Sequence, residues 1–296
     1  MHKDTLQRFI FEKTPIRGSV VNLNSTLQLA LNKQHLPIGL KRALGELMAA
    51  SALLTATLKM NGSLVLQIQS QGSLKLLVVE CNSEFGIRAT AKWAGDIQDT
   101  ETLFDLLAQG QFMITLDPKD GGQTYQGIVA LEGTSIATIL ENYMLRSEQI
   151  DTKIWLCCDG NIAAGMLLQK LPDTMNQTIH EHDIDTWNRV GHLADTITDD
   201  ELLQLPTETL LHRLFHEEDV RLFEASHTKF QCSCSRKNVA GMLRMLGADE
   251  LKSILEEQGK IDINCDFCGA HYQFDAVDAT QLFTSEITSQ LSKEVH

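Results

Sequence analysis

Aromatic side chains are scarce in this 296-residue chain. Phe, Trp and Tyr make up 6% of it, so any core must be built mainly from Leu, Ile, Val, Ala and Met. Positive charge is also short: 25 Lys and Arg stand against 39 Asp and Glu, a formal net charge of −14. A field of that sign repels phosphate backbones and argues against a broad nucleic-acid surface. Long hydrophobic runs are missing. The most apolar stretch, LMAASALLTATL, is too short to span a bilayer, and MHKDTLQRFIFEKTPIRG lacks the apolar centre of a secretory signal. No membrane association is expected, and the expected location is cytoplasmic. The chain has no nucleophile elbow, phosphate loop or dinucleotide fingerprint, and no internal repeat or low-complexity tract. It is not expected to be an enzyme.

What is present is unevenly placed. Residues 1–172 carry 15 basic and 16 acidic side chains, residues 173–231 carry 4 and 13, and residues 232–296 carry 6 and 10. The excess negative charge therefore lies in the middle and the tail. That asymmetry coincides with changes in pattern, and three segments are expected: an N-terminal α+β domain over 1–172, an acidic helical linker over 173–231, and a small C-terminal metal-binding domain over 232–296.

In the first segment, GLKRALGELMAASALLTATLK (39–59) is apolar around most of a helical circumference and predicts a helix buried against a sheet. SLVLQIQ and SLKLLVVE flank Gly72, and QFMITL and YQGIVALEG flank the turn-rich DPKDGGQT. These runs predict antiparallel strands. TSIATILENYMLRSE (134–148) predicts a second helix. Strands and helices grouped in blocks indicate α+β rather than repeated βαβ units.

After Pro172, DTMNQTIHEHD is polar and linker-like. Trp187, Val190, Ala194 and Ile197 then fall at helical spacing. Thr198 and Glu201 match a capping box, and Leu210, Leu211, Leu214 and Phe215 form a further apolar helix face. Short helices of this kind depend on tertiary packing. Six histidines lie here: His180, His182, His192, His212, His216 and His227. They read as solvated linker residues, with adventitious metal binding by His180 and His182 as the alternative.

The last segment gathers four of the seven cysteines as C-x-C-x30-C-x-x-C: Cys232, Cys234, Cys265 and Cys268. KIDIN and HYQFD alternate on either side of the second pair like a hairpin. A turn there would aim both sulfurs at one point. Cytosolic thiols are kept reduced, which favours metal or redox chemistry over structural disulfides. Four thiolates suit a closed, tetrahedral structural zinc site with no open position for a catalytic water. Ordinary buried cysteines, or a lone C-x-x-C redox site, are the alternatives, and four thiols in so short a span are poorly explained by core filling.

Structural zinc in a small domain contributes roughly 10–16 kcal/mol of apparent free energy. Whole domains are typically stable by only about 5–15 kcal/mol. Oxidation would release the metal by converting thiolates to disulfides. The nearest partners along the chain are Cys232–Cys234 and Cys265–Cys268. Such bonds close very small rings and constrain little of the unfolded chain, so a long-range tie would be exchanged for two local ones. Arg236 and Lys237 stand beside Cys234. They would favour its thiolate if they face it, and are plain exposed helix charges if they do not. Cys157 and Cys158, adjacent in KIWLCCDG, would point to opposite faces of a strand and fill core. Cys81 reads as a strand-end residue. None of these three is assigned a redox role.

At these residues the sequence resembles the heat-shock protein 33 family, the redox-regulated holdase chaperones of bacteria. RFIFEKTPIRGSVVNLNSTLQLAL, ASALLTATLK, YQGIVALEG, ENYMLRSEQ, HEEDVRLFE, CSCSR and CDFCGAHYQF are all similar to family segments, so the resemblance covers the whole chain. It implies a reduced, zinc-bound and largely inactive monomer. Oxidative stress with heat would form the disulfides, release zinc and unfold the C-terminal region and linker. The resulting homodimer would hold unfolded clients without ATP and later pass them to ATP-dependent foldases. The apolar residues Leu210, Leu211, Leu214 and Phe215 are candidates for client binding. Two other classes remain open: a zinc-ribbon nucleic-acid binder, which wants a basic face, and a thiol-disulfide oxidoreductase, which would use C-x-x-C with turnover.

Overall fold

The computed structural model describes residues 4–98, 103–107, 109–172 and 185–291, with side chains described as far as Phe283. His180, His182 and the polar stretch from Asp173 to Ile184 lie outside the described residues. Two compact units divide the chain, residues 1–231 and 232–296.

The first unit begins with β1 (Thr5–Phe11), β2 (Ile16–Leu23), α1 (Ser25–Leu31) and α2 (Ile38–Thr55). It continues through β3 (Gly62–Gln69), β4 (Leu74–Asn82), β5 (Gly86–Trp93), α3 (Leu103–Leu106), β6 (Gln111–Pro118), β7 (Tyr125–Val129) and α4 (Ile136–Arg146). Then come β8 (Thr152–Cys158), β9 (Ala163–Lys170), α5 (Thr186–Ala194), α6 (Asp199–Gln204), α7 (Thr207–Phe215), β10 (Val220–Leu222), β11 (Ser226–His227) and β12 (Lys229–Phe230). The strands form two sheets. One runs β10-β1-β2-β9-β8, with β11 also on β1; the other runs β12-β5-β4-β3-β6-β7. Every pairing is antiparallel except β12 on β5. The α+β class and the paired strands at 62–82 and 111–129 agree with the sequence expectation, although β7 stops at Val129.

Helix α2 is buried along most of its length because it packs against both sheets. The main core gathers Leu40, Leu44, Leu47 and Leu54 with Leu64, Leu66 and Ile68 of one sheet and Leu6, Val21 and Leu167 of the other. Gly45 allows the close approach to β8: a Cβ there would lie 2.4 Å from Cys158 Sγ.

The opposite face of the first sheet carries a second core. Phe9, Phe11, Val20, Met166 and Leu168 meet Val190, Leu202, Leu210, Leu211, Leu214 and Phe215 of α5–α7. Three phenylalanines anchor it, with ring centroids 5.0 Å apart for Phe11–Phe215 and 6.4 Å for Phe9–Phe215. Strand β9 is consequently buried on both sides, which explains its continuous apolar run AAGMLL. Cys157 falls in this second core and Cys158 in the first, on opposite faces as the strand period requires. Burial pushes the Cys158 and Cys81 thiols up to about 12 and raises Cys157 as well, so all three stay protonated at neutral pH.

Residues 185–231 thus pack within the first unit rather than standing apart from it. The expected helices are present. The Thr198–Glu201 capping box is reciprocal: Glu201 N donates to Thr198 Oγ1 at 3.3 Å, and Thr198 N donates to Glu201 Oε2 at 3.0 Å. The segment also supplies strands β10–β12, which extend both sheets.

The second unit holds α8 (Arg236–Leu246), α9 (Ala248–Gln258), β13 (Ile261–Asn264), β14 (His271–Phe274) and α10 (Ala276–Leu291). Gly247 and Gly259 take left-handed φ angles of 92° and 74° where α8 turns into α9 and where α9 ends. Among the described residues its core is only Val239, Ala240, Leu243, Leu251, Ile261, Phe274, Ala279 and Leu282. Among the described residues of the whole chain, no helix is long and apolar enough to cross a membrane.

Candidate metal centre

The hairpin β13–β14 builds one half of the site. Its register pairs Ile261 with Phe274 and Asn264 with His271, so Cys265 to Ala270 form the connecting turn. Cys265 N donates to Ala270 O at 2.9 Å and Gly269 N donates to Cys265 O at 2.7 Å. Gly269 has φ +66°, a backbone setting that a glycine adopts without penalty. The turn presents Cys265 and Cys268 on one side.

The other half is the loop that enters α8. Ser235 caps the helix by accepting from Asn238 N at 3.1 Å, and Asn238 Nδ2 donates to Ser233 O at 2.8 Å. These bonds hold Cys232 and Cys234 just ahead of the helix. Arg236 is committed elsewhere: it pairs with Asp278 at 2.8 Å, donates to Gln273 O at 2.6 Å and lies 4.3 Å above the Phe274 ring. Its role is to fasten α8 to β14 and α10.

All four sulfurs lie within 4.8 Å of one another. Cys232 and Cys265 approach to 3.7 Å, and Cys234 and Cys268 to 3.3 Å. A tetrahedron with metal–sulfur bonds of about 2.3 Å has edges of about 3.8 Å. The cluster is therefore near the size that a tetrahedral thiolate-bound ion requires, and the structure brings together all four cysteines expected from the spacing. Both of these edges join one residue of the first pair to one of the second. The site therefore ties residues more than 30 positions apart.

The thiols are not equivalent. Burial pushes Cys268 up to about 12 and also raises Cys232. Burial acts the same way on Cys234, but hydrogen bonds from Tyr272 and the neighbouring thiols outweigh it and bring that group to about 7. Tyr272 Oη donates to Cys234 Sγ at 3.2 Å. The sequence reading did not single out Tyr272; its only signal is an aromatic hydroxyl one residue into the strand that leaves the cysteine turn. Partners that orient ligands typically change metal affinity about 10–100-fold. Tyr272→Phe is expected to weaken metal retention by roughly that factor while the chain stays folded, as measured by competition with a colorimetric chelator.

Leu210, Leu211, Leu214 and Phe215 sit in the first unit, each less than 5% exposed, beneath α7 against the first sheet. His212 and His216 share the outer face of that helix, with ring centroids 6.2 Å apart.

A small C-terminal unit carrying four thiols that could hold a metal ion follows a two-sheet α+β unit, and an ion bound by all four sulfurs would have a closed coordination shell. A family model described as "Hsp33 protein" matches residues 4–275. A 33 kDa chaperonin of Methylobacillus flagellatus is 60% identical over 96% of both chains. That of Chromobacterium violaceum is 49% identical over 100% of this chain and 99% of its own. The crystal structure of the 33 kDa chaperonin (heat shock protein 33 homolog) from Thermotoga maritima superposes with a TM-score of 0.81. It covers 96% of this chain and 99% of that one at 20% identity, and so speaks to the fold. The chain belongs to the Hsp33 family, and this membership supports a chaperone role.

Proposed function

We propose that this protein is an ATP-independent holdase switched on by oxidation. The observation that carries the reading is the cluster itself. Two cysteine pairs, each local in sequence, meet at one point in a unit with a very small core. Zinc held there by Cys232, Cys234, Cys265 and Cys268 supplies most of the stability of that unit. An oxidant that takes two electrons from each thiolate pair leaves two disulfides and releases the ion, and the unit then unfolds. Residues 185–231 loosen with it and uncover the Leu210–Phe215 seam together with its facing sheet. The exposed apolar surface binds unfolded clients, and the surrounding acidic residues keep the complex soluble.

The proposed disulfides are Cys232–Cys234 and Cys265–Cys268. In the reduced fold all four sulfurs lie within 4.8 Å of one another, so these local pairs are within reach of oxidation as well as the cross pairs Cys232–Cys265 and Cys234–Cys268. Cross-paired products would preserve the long-range tie and keep the unit closed. The active species is proposed to be a cytoplasmic homodimer, the reduced form a monomer. Clients are proposed to pass to ATP-dependent foldases once the thiols are re-reduced.

The test compares reduced and peroxide-treated protein at mild heat. One zinc per chain is expected in the reduced form and none after oxidation. The oxidised form is expected to suppress light scattering from a heat-aggregated client at near-stoichiometric ratio, and the reduced form to suppress it poorly. Equal suppression by both forms, or zinc retained by protein mapped as fully disulfide-bonded, removes the switch. Turnover in an insulin-reduction assay would instead favour an oxidoreductase. A salt-dependent shift of DNA or RNA would favour a nucleic-acid binder.

A further inference from the structure

Residues 56–59, which follow α2, face residues of β1 and β2 across one cavity. Ile10 pairs with Arg17, Arg17 with Gln169 and Gln169 with Thr152, which makes one ladder across four strands on a single face. Gln169 is fully buried. Its Oε1 accepts from Arg17 Nε at 3.1 Å and Nη2 at 2.7 Å, while its Nε2 donates to Thr152 Oγ1 at 3.2 Å. A buried amide thus holds the Arg17 guanidinium in place. Burial lowers the pKa of this arginine, as expected for a half-buried cation with no compensating charge.

Arg8 lies opposite Ser19, next to the Ile10–Arg17 pair, so Arg8 and Arg17 are diagonal neighbours on that face, about 7–8 Å apart by strand geometry. Arg8, Arg17 and Lys59 line a cavity of about 290 Å³ whose walls include Leu58, Leu167 and Phe223. A second cavity of about 220 Å³ shares Arg8, Ala56 and Leu58 with it and reaches the buried Thr55 hydroxyl. Its neighbour there is the buried Cys81 thiol.

Among the described residues, no acidic side chain lines either cavity. Among the described residues, Arg8, Arg17 and Lys59 make no ion pair with any carboxylate. This is notable in a chain with a net charge of −14. The carboxyl end of α2 lies beside them and contributes only about half a negative charge. Three cations facing one cleft are therefore left largely unneutralised.

We propose that this cleft binds a phosphate-bearing small molecule, with the phosphate on Arg8, Arg17 and Lys59 and any organic part against Leu58, Leu167 and Phe223. A guanidinium fork matches phosphate oxygens in pairs, Lys59 adds a point charge, and the dianion supplies the charge that the fold omits. The Arg17 fork is already oriented by Gln169, which lowers the ordering cost on binding.

Calorimetric titration of the zinc-loaded, reduced full chain at low ionic strength tests this with inorganic phosphate, AMP and the dicarboxylate succinate. Phosphate or AMP is expected to bind, to raise the Tm of the first unit, and to bind at least tenfold more weakly to Arg8→Gln and to Lys59→Gln. Both residues are exposed, so neither substitution should disturb the fold. Tighter binding of AMP than of phosphate identifies a phosphate monoester as the source, and equal binding identifies the free ion. No binding of either, binding unchanged in both variants, or succinate as tight as phosphate overturns the proposal.

Discussion

Chelating the metal from the reduced protein is expected to unfold the second unit and leave the main core of the first intact. The expectation follows from magnitudes. Eight buried side chains, two of them alanine, form the described core of the second unit. A structural zinc contributes roughly 10–16 kcal/mol near neutral pH, as much as the entire stability of a typical domain. Removing that term leaves a unit, residues 232–296, of a size at which a core alone rarely supplies more than about 3–5 kcal/mol. The main core of the first unit contains none of these cysteines and encloses α2 from both sides. Hydrogen exchange after chelation should therefore lose protection across 236–274 and keep it across 38–55. Cys268→Ser should reproduce the loss without chelator, because three sulfurs and a hydroxyl bind zinc far more weakly than four thiolates. Full protection of 236–274 in metal-free protein would show that the ion is dispensable and would sink the proposed sensor.

Truncating Phe215 is expected to produce partial activity without any oxidant. Its ring packs against Phe9 and Phe11 and is 2% exposed. Replacing a buried phenylalanine by alanine costs about 3–5 kcal/mol. That loss falls on short helices that depend on this packing, since α5, α6 and α7 have 9, 6 and 9 residues. Phe215→Ala should therefore raise protease sensitivity between 185 and 215 while zinc content stays at one per chain. The reduced variant should suppress client aggregation where the reduced parent does not. A variant that is cleaved in this segment yet still fails to suppress aggregation would show that the seam is not the client surface.

Much of this architecture could be read in the chain before its structure was known, and the exceptions have physical causes. The cysteine spacing, the hairpin around Cys265 and Cys268, the capping box at Thr198 and the helices α2 and α4 are local patterns, each contained within about 40 residues. Strand β9 gave no such pattern. Both of its faces are buried, so it lacks the alternation that marks a half-exposed strand. Strands β10–β12 are two or three residues long, too short to display a period. The Arg17–Gln169 contact depends on β2 lying beside β9, which brings together residues 152 positions apart and has no local signature. Tyr272 was legible only as one residue of an alternating strand until its hydroxyl was placed on Cys234. The acidic segment read as a linker because charge and helix period were its visible features, whereas its packing on the first sheet depends on Phe9, Phe11 and Met166 far upstream.

Strand β12 lies alongside β5, with Lys229 N donating to Phe85 O and Gln231 N donating to Ile87 O, and the next residue is Cys232. The first cysteine of the cluster is thus one peptide bond from a residue hydrogen-bonded to a sheet edge. A strand of two residues is held by few hydrogen bonds, so hydrogen exchange at Lys229 and Gln231 is expected to report opening of that edge before the longer strands lose protection.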